Sequence, residues 1–328
     1  MDYNEEELIL KNLENKINDL ENKNQKLTKK IRQIERYNNN MFNTYHNLFE
    51  NIYLHHELIP KGTWGKILTL NQELINFIDN ICKKHNLDYW LDYGTLLGAK
   101  RHGGFIPWDD DVDLGMMRCD FEKFFPILKE EVKNNNLENE VTVRIYHQNI
   151  KDFLVGFIQF SYRANGGPTI SYVDIFPYDY RNSKENINEQ EYSEFRNDFH
   201  KKLLKGEEKD KVIKEYFDNF NLNYFESDFI IPGVEGPRGT YGRYKFDIME
   251  KDIIFPLKKI KFGNKYYKCP TDTENYLKRI YGDYKKIPPL IYSHGVLDNL
   301  KQVRNLDDFY NAAINKMKKI NEKYYLKF

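Results

Sequence analysis

The sequence predicts an α+β protein in which a mixed β-sheet is flanked by helices and preceded by a coiled-coil helix. Three observations predict this class. An apolar seven-residue repeat fills the N-terminal part of the chain. Beyond Pro60, stretches with helical spacing alternate with short β-prone runs. Several of these runs are joined by short links, which favours antiparallel or mixed pairing. We therefore expect a coiled-coil helix over residues 1–58 and a globular domain over residues 66–328, with a helical and loop insert at 181–250.

The N-terminal repeat has the pattern of a coiled coil. Mostly leucines at the second position, β-branched residues at several first positions and the asparagine at Asn24, which pairs best with its own copy, favour a parallel homodimer. Such a rod would be roughly 60 Å long. The alternative is a single amphipathic helix folded onto the globular domain. The first position holds Leu10, Ile17, Asn24, Ile31, Asn38, Tyr45 and Ile52, and the second holds Leu13, Leu20, Leu27, Ile34, Met41 and Leu48.

The elements of the globular domain follow from the same periodicities. The predicted helices cover residues 70–85, 120–132, 181–220, 276–282 and 306–325, and the predicted strands cover 89–93, 111–114, 141–146, 153–160 and 172–176. Asn86 and Gly282 are typical of residues that end helices. Pro177 is expected to close the last strand, because proline cannot donate to the ladder.

A phosphate-binding turn is predicted where the strand over residues 89–93 gives way to a helix. Gly94 and Thr95 break the strand alternation, and Thr95 stands where a helix could begin. Backbone N–H groups at a helix N-terminus attract phosphate. Glycine at position 94 would let a phosphate approach the backbone closely.

A carboxylate cluster follows that turn. If the strand at 111–114 is extended, Asp111 and Asp113 share one face, roughly 7 Å apart at Cα. Two neighbouring carboxylates repel unless a cation lies between them, and Mg²⁺ suits such ligands. Asp174, a single acid in a β-prone run, is the third candidate. Asp109 and Asp110 are expected to support this cluster from outside it.

The segment between turn and acids has the composition of a loop that could cover a diphosphate. Arg101 offers a bidentate fork, and His102 offers a hydrogen bond or a proton. His102 could equally hold the loop backbone. Trp108 could stack on a base, although a tryptophan beside a sheet is more often part of the core. In the glycine-rich loop at 232–243, Arg238 and Arg243 could meet phosphates or belong to a simple connection.

The amino-acid composition limits which binding partners and which cellular compartment are expected. Lys+Arg and Asp+Glu both count 50, so no overall positive field favours nucleic acid. The three cysteines are far apart and form no CxxC pair, which is typical of reduced thiols in the cytoplasm. Neither an apolar run long enough to span a membrane nor a secretory signal is expected.

The amino-acid sequence of the central segment resembles that of a known family. Residues 94–116, GTLLGAKRHGGFIPWDDDVDLGM, followed by VDIFP at 173–177, resemble the LicD family, which includes phosphorylcholine transferases and is related to fukutin and fukutin-related protein. The resemblance runs from about Leu70 to Phe125. It returns from Phe255 to His294 with FPLKKIKFGNKYYKCP, YLKRIYGDY and IPP. Residues 1–60 lie outside it.

This resemblance implies a nucleotidyltransferase-like fold and a metal-dependent phosphotransferase. The implied donor is a CDP-alcohol, such as CDP-choline or CDP-ribitol, and the implied acceptor is a glycan, a lipid-linked glycan or a teichoic-acid-like polymer. Asp111, Asp113 and Asp174 would hold Mg²⁺ or Mn²⁺ and act in catalysis. The residues expected to contact substrate are Gly94, Thr95, Arg101, His102, Tyr281, Asp283 and His294. Packing would explain Tyr281 equally well.

Two other functions remain open at this point. The same acids could transfer a nucleoside monophosphate to a protein, a small molecule or RNA. The chain could instead be an inactive coiled-coil scaffold, although a scaffold has no need for three such aspartates. The expected location is the cytoplasm, with loose association at the inner membrane face because acceptors of this kind are often lipid-linked. The sequence does not identify the alcohol or the glycan.

Overall fold

The chain divides into two compact units, an N-terminal unit that contains the first helix and a globular unit that begins at residue 59. The computed structural model describes residues 3–55, 59–150, 153–164, 167–185, 187–235, 248–286, 300 and 305–325. None of the helices in these ranges is long and apolar enough to cross a membrane.

The N-terminal unit is one uninterrupted helix, α1 (Tyr3–His55). The seam predicted from the heptad repeat is exposed along it, with Leu13, Leu20 and Leu27 at 50%, 64% and 57% of their full accessibility. An exposed apolar stripe of this length needs a partner surface. The helix is confirmed, and its pairing into a parallel dimer stays a prediction.

The globular unit contains helices on a mixed sheet, which confirms the predicted α+β class. The helices are α2 (Gly62–His85), α3 (Tyr93–His102), α4 (Arg118–Asn134), α5 (Glu189–Leu204), α6 (Lys209–Phe220), α7 (Lys251–Ile254), α8 (Thr273–Tyr281) and α9 (Leu306–Tyr325). The strands are β1 (Trp90–Leu91), β2 (Asp113–Met117), β3 (Val141–Ile150), β4 (Phe153–Arg163), β5 (Thr169–Arg181), β6 (Leu222–Asn223), β7 (Phe229–Pro232), β8 (Met249–Glu250), β9 (Lys258–Phe262) and β10 (Lys265–Cys269).

Strand β5 organises the main sheet. The strand order is β1-β2-β5-β4-β3, in which β2 and β5 are parallel and the other neighbours are antiparallel. The far half of β5 also pairs with β6 and β7, and β8 pairs with β7. Strands β9 and β10 form a separate hairpin. The segment at 181–250, expected to contain helices and loops, therefore also contributes strands to the main sheet.

Pro177 does not close β5 as predicted, and the strand continues to Arg181. The reason is a change of partner along one edge. Pairing with β4 reaches Ile175, and pairing with β7 begins at Tyr178. Proline falls between the two partners, where its missing N–H is not needed for either antiparallel ladder. Its carbonyl still accepts a hydrogen bond from the Gly233 N–H at 2.8 Å.

Helices α2 and α9 cover one face of the sheet, and this is where the main core lies. The apolar residues predicted from α2, including Leu74, Phe77 and Ile81, are fully or almost fully buried. The ring of Phe77 stacks on Phe160 of β4 at 5.7 Å between centroids. As expected, α2 ends at Asn86, which adopts the left-handed conformation with φ of 50°.

A buried ion network joins α4, β5 and the loop after β7. The Arg118 guanidinium donates through Nη2 to Asp179 at 2.8 Å and to Glu235 at 2.7 Å. Burial opposes the charge of Arg118, but the two carboxylates outweigh it and raise the pKa of this guanidinium. Removing one partner of such a network would leave an uncompensated buried charge. These residues therefore fix the start of α4 against β5.

Candidate active site

The predicted phosphate turn is the N-terminus of α3. The helix begins at Tyr93, two residues earlier than expected, so the prediction of a start at Thr95 is wrong. Asp92 explains the earlier start because its side chain caps the helix by accepting from the Tyr93 N–H at 2.8 Å. Tyr93 has a φ of +35°, which is costly for a residue with a side chain. This strained turn lies beside the strand that carries Asp113.

Asp92 was not singled out in the sequence, and it anchors this turn. Its carboxylate is fully buried and accepts hydrogen bonds at 2.6 Å from the hydroxyls of Tyr178 on β5 and Tyr276 on α8. Burial raises the pKa of Asp92 to about 6, although these hydrogen bonds and that from Tyr93 oppose the rise. The local signal was one acid between two apolar residues, which did not reveal its distant partners.

Gly94 and Thr95 both contact the carboxylate cluster. The Asp113 N–H donates to Thr95 Oγ1 at 2.8 Å. A Cβ atom on Gly94 would lie 2.6 Å from Asp109 Oδ2 and 3.8 Å from Asp113 Oδ2. A carboxylate oxygen thus lies against Gly94, where only glycine leaves room for it. Asp109, expected to lie outside the cluster, contacts its rim.

The central finding is the pairing of Asp113 with Asp174. These residues are direct partners in the parallel register of β2 and β5, so their side chains leave the sheet on the same face. The Asp174 N–H donates to the Val112 carbonyl at 2.8 Å, which locks this register. Asp174 is 7% exposed, whereas Asp113 is half-buried. The prediction that distant aspartates meet on one face is confirmed for this pair.

Asp111 lies just before β2, because the strand begins at Asp113 rather than at Asp111 as predicted. Its side chain is 7% exposed. The charges of the whole cluster act on the hydroxyl group of the neighbouring Tyr172. Burial, followed by the negative charges of Asp111, Asp174, Asp110 and Asp113, raises the pKa of Tyr172. Asp111 therefore shares one electrostatic environment with the paired aspartates.

Gln159 is a second residue that the sequence did not reveal. It is the partner of Asp174 in the register of β4 and β5, and its Nε2 donates to Asp174 Oδ1 at 2.9 Å. Arg144 Nη2 donates to Gln159 Oε1 at 2.8 Å. The arginine thereby orients the amide so that its N–H groups face the carboxylate. A single glutamine in a strand gives no sequence signal for this role.

The loop residues after α3 have partners of their own. Arg101 Nη1 donates to the carbonyl oxygens of Tyr284 and Lys286 at 2.9 and 3.1 Å, so it holds the chain that follows α8. Burial and the charge of Arg101 lower the pKa of His102 to about 3. The imidazole is therefore neutral at pH 7 and suited to hydrogen bonding. It packs edge-on against Trp108, which is partly buried against the core.

The remaining predicted contacts lie near the end of α8. This helix ends at Gly282 as expected. Tyr281 is partly buried against the main core, which fits its alternative role in packing. Asp283 forms an ion pair with Lys286 at 3.2 Å. His294, Arg238 and Arg243 lie outside the residues that the structure describes. Contacts of Arg101, His102, Tyr281, Asp283 and His294 with substrate stay predictions.

The donor set at the site consists of carboxylate oxygens, which suit Mg²⁺ or Mn²⁺. Among the described residues, no group of three or more His, Cys, Asp or Glu side chains is arranged to hold a metal ion alone. Magnesium is commonly held by one or two carboxylates together with substrate phosphates. The paired Asp113 and Asp174 fit that second arrangement, and a metal held by all three predicted aspartates stays a prediction.

The part of the chain that contains these aspartates matches a known family model. Residues 86–209 match the family model described as LicD/FKTN/FKRP, nucleotidyltransferase domain. This range contains β1 to β5 and every aspartate of the cluster.

Curated relatives point the same way. The lipopolysaccharide cholinephosphotransferase LicD of Haemophilus influenzae is 24% identical over 249 residues, which cover 68% of this chain and 94% of the relative. The ribitol 5-phosphate transferase FKRP of Mus musculus is 47% identical over 58 residues, 17% of this chain and 12% of the relative. An uncharacterized protein of Rickettsia typhi is 36% identical over 100 residues, which cover 27% of this chain and 32% of the relative. Both relatives with a stated activity are transferases. Over residues 86–209, the chain therefore resembles the LicD family in its nucleotidyltransferase domain.

Proposed function

We propose that the globular unit transfers a phospho-alcohol from a CDP-activated donor to a hydroxyl group of a glycan. The observation that carries this proposal is the pairing of Asp113 with Asp174 across parallel strands, beside the N-terminus of α3. Relatives that carry the same domain are a cholinephosphotransferase and a ribitol 5-phosphate transferase. CDP-choline and CDP-ribitol are accordingly the first donors to test.

The turn and the carboxylates have complementary tasks in this proposal. Gly94 leaves room for the Asp109 carboxylate beside the helix N-terminus, and the helix dipole there would stabilise negative charge on the donor diphosphate. Asp113 and Asp174 would hold Mg²⁺ or Mn²⁺, which would neutralise charge on the donor diphosphate. Gln159 keeps Asp174 oriented by donating to one of its oxygens. Together these residues would hold the donor phosphorus at the face of the sheet that carries Asp113 and Asp174.

The reaction follows from that arrangement. A glycan hydroxyl oxygen forms a bond to the phosphorus of the phospho-alcohol, and the bond from that phosphorus to the oxygen of CMP breaks. The hydroxyl proton passes to a carboxylate of the cluster. The candidates for this proton acceptor are Asp174 and Asp111. Both are nearly buried, and the charges of both act on the same neighbour, Tyr172. The products are CMP and a phosphodiester-linked alcohol on the glycan.

Replacing Asp113 tests this function directly. We expect Asp113→Asn to lower metal-dependent CMP release from CDP-choline or CDP-ribitol by at least about a hundredfold, because one of two paired charges is lost. The matched control is Asp308→Asn, the same chemical change at an exposed position on α9. Thermal unfolding checks that both variants are folded. Full turnover by folded Asp113→Asn would refute the assignment.

A nucleotidyl transfer is the second candidate, because the family description names a nucleotidyltransferase domain. In that reaction the nucleotide would become attached to the acceptor, whereas in the proposed reaction CMP leaves. A donor labelled in the cytosine base separates the two. Label in free CMP supports phospho-alcohol transfer, and label on the acceptor supports nucleotidyl transfer.

We also propose that α1 joins two copies of the chain and that the enzyme works in the cytoplasm, close to membrane-linked acceptors. The exposed apolar seam of α1 supports the first part. Three free thiols, two of them buried, are in keeping with the second.

A further inference from the structure

A polar cavity of about 240 Å³ lies on strands β3, β4 and β5. Two arginines and three hydroxyl-bearing side chains contribute to its wall. The lining includes Thr142, Arg144, Ser161, Arg163, Gly167 and Thr169. None of these lining residues has a role in the proposed reaction.

The cavity opens on the same face of the sheet as the paired aspartates. One row of direct partners runs across four strands, from Asp113 through Asp174 and Gln159 to Arg144. The next row runs from Tyr172 through Ser161 to Thr142. Side chains of direct partners leave the sheet on one side. With strands roughly 4.8 Å apart, the backbone at Arg144 lies about 10 Å from that at Asp174.

A hydrogen-bond chain connects the cavity with the catalytic carboxylate. Arg144 donates to Gln159 Oε1, and Gln159 donates to Asp174 Oδ1. The Ser161 hydroxyl also donates to Gln159 Oε1, at 3.2 Å. A ligand that contacts Arg144 therefore contacts the group that orients Asp174.

The charged side chains that line the cavity are the two arginines. Arg144 is exposed, and Arg163 is half-buried with its Nε donating to the Gly167 carbonyl at 2.9 Å, which shapes one wall. The nearby acid Glu140 is paired with Lys316 of α9, so its negative charge is compensated. Two guanidinium groups with adjacent hydroxyls are typical of a site for a phosphate group.

We infer that this cavity binds a phosphate group carried by the glycan acceptor. The inference rests on the proposed function, which puts the donor diphosphate beside Gly94 and the paired aspartates, on the β2 side of Asp174. A choline or ribitol moiety adds no negative charge, so a second phosphate-binding site on the β3 side suits the other substrate. Pockets for drug-sized ligands are usually about 300–1,000 Å³. The smaller volume here suits one phosphorylated sugar unit, with the rest of the acceptor outside.

Direct binding tests this inference without any reaction. The probes are inorganic phosphate and glucose 6-phosphate, with glucose as the uncharged control, titrated calorimetrically into the full chain without metal or nucleotide. We expect saturable binding of both phosphates and none of glucose. Addition of CDP and Mg²⁺ should leave the dissociation constant of phosphate unchanged, because the nucleotide binds at the other end of the face.

Variants assign the binding to the cavity. Arg163→Gln and Arg144→Gln should each weaken phosphate binding by about tenfold or more, because each removes a charge-assisted contact. Arg36→Gln, the same change at an exposed position on α1, should leave the dissociation constant unchanged. If Arg163→Gln unfolds because its bond to Gly167 is lost, the exposed Arg144 gives the result alone. Equal binding by folded Arg144→Gln and wild type would overturn the inference, as would the absence of saturable phosphate binding.

The outcome is separable from that of the proposed function. Release of CMP is measured with donor and metal, whereas phosphate binding is measured with neither. Absence of phosphate binding in a chain that releases CMP removes only the acceptor site. Phosphate binding at the two arginines in a chain that does not release CMP keeps this site and removes the proposed reaction.

Discussion

Gly94 illustrates how one missing side chain shapes the site. It lies in the first turn of α3, where a Cβ atom would lie within 4 Å of both the Asp109 and the Asp113 carboxylates. In an ordinary helix, alanine would be the better residue and would stabilise the fold by about 0.4–1 kcal/mol. Here an added methyl group would meet Asp109 Oδ2 at 2.6 Å. Helix propensity and this clash act in opposite directions on the stability of the fold, whereas only the clash affects the site.

We predict that Gly94→Ala lowers CMP release by about a hundredfold, because the added methyl group displaces the Asp109 carboxylate beside the paired aspartates, and a misplacement of roughly 1 Å at a site is enough for such a loss. The melting temperature should change little, since helix propensity and the local clash oppose each other. Steady-state CMP release and thermal unfolding of the same preparation measure both quantities. A variant with unchanged release and a higher melting temperature would mean that Gly94 is only a helix residue.

Residues differed in how far the sequence could reveal their roles. Asp113 and Asp174 were predictable because an acid-x-acid alternation and a lone acid in a β-prone run are local patterns. Asp92 was not, because its partners Tyr178 and Tyr276 are 86 and 184 positions away. Gln159 was hidden for the same reason, since its role depends on the register of β4 with β5.

Among the secondary-structure elements, helix α4 is held against α2 and α9 by hydrogen bonds to Glu131. This buried carboxylate accepts from Lys84 at 2.5 Å, from the Tyr324 hydroxyl at 2.6 Å and contacts His85 at 2.9 Å. Burial would raise the pKa of Glu131, but these three hydrogen bonds outweigh it and lower the pKa. Glu131 therefore stabilises the packing of α4 on α2 and α9 in its charged form.

The lowered pKa gives a stability prediction with a definite sign. The contribution of Glu131 is present above its unfolded-state pKa of 4.5 and is lost as the pH falls through the lower folded-state value. Glu131→Gln should therefore destabilise the protein by about 1–3 kcal/mol at pH 7 and by less at about pH 3.5. Urea unfolding at both pH values measures this. Glu130→Gln, an exposed neighbour on α4, is the control, and an equal destabilisation at both pH values would contradict the account.

Helix α1 makes a separate prediction about association. Replacing both Leu20 and Leu27 by lysine puts charges into the predicted seam, so we expect a dimeric wild type and a monomeric variant. The control replaces Asn18 and Gln25 by lysine outside the seam. Sedimentation equilibrium gives the masses of all three proteins. A monomeric wild type, or a variant that remains dimeric, would contradict a coiled-coil dimer.

Element boundaries show where sequence reasoning stops. Most helices were predicted because their apolar spacing is regular, and α8 ends at Gly282 as expected. The continuation of β5 beyond Pro177 depended on a change of partner from β4 to β7. Strands β6 and β7 were missed because they are short and are stabilised by pairing with β5 rather than by a pattern of their own. Nonlocal pairing, which a periodicity cannot report, accounts for these differences.

For the whole molecule, the fold separates two kinds of surface on one sheet. Helices α2 and α9 bury one face, while the opposite face carries a row of charged and polar side chains from Asp113 to Arg144. The two aspartates lie at one end of this row and Arg144 lies at the other. A substrate pair with a metal-bound diphosphate on one molecule and a phosphate group on the other would match that distribution of charge.

The most direct test of the account is whether Asp113 and Asp174 act as one metal site. The measurement is Mn²⁺ binding in the presence of CDP, followed by the electron paramagnetic resonance signal of free Mn²⁺. We predict that Asp113→Asn and Asp174→Asn each weaken binding by at least about tenfold, because each removes one of two shared ligands, and that Asp308→Asn binds like wild type. Wild-type Mn²⁺ affinity in either folded site variant would contradict the central claim.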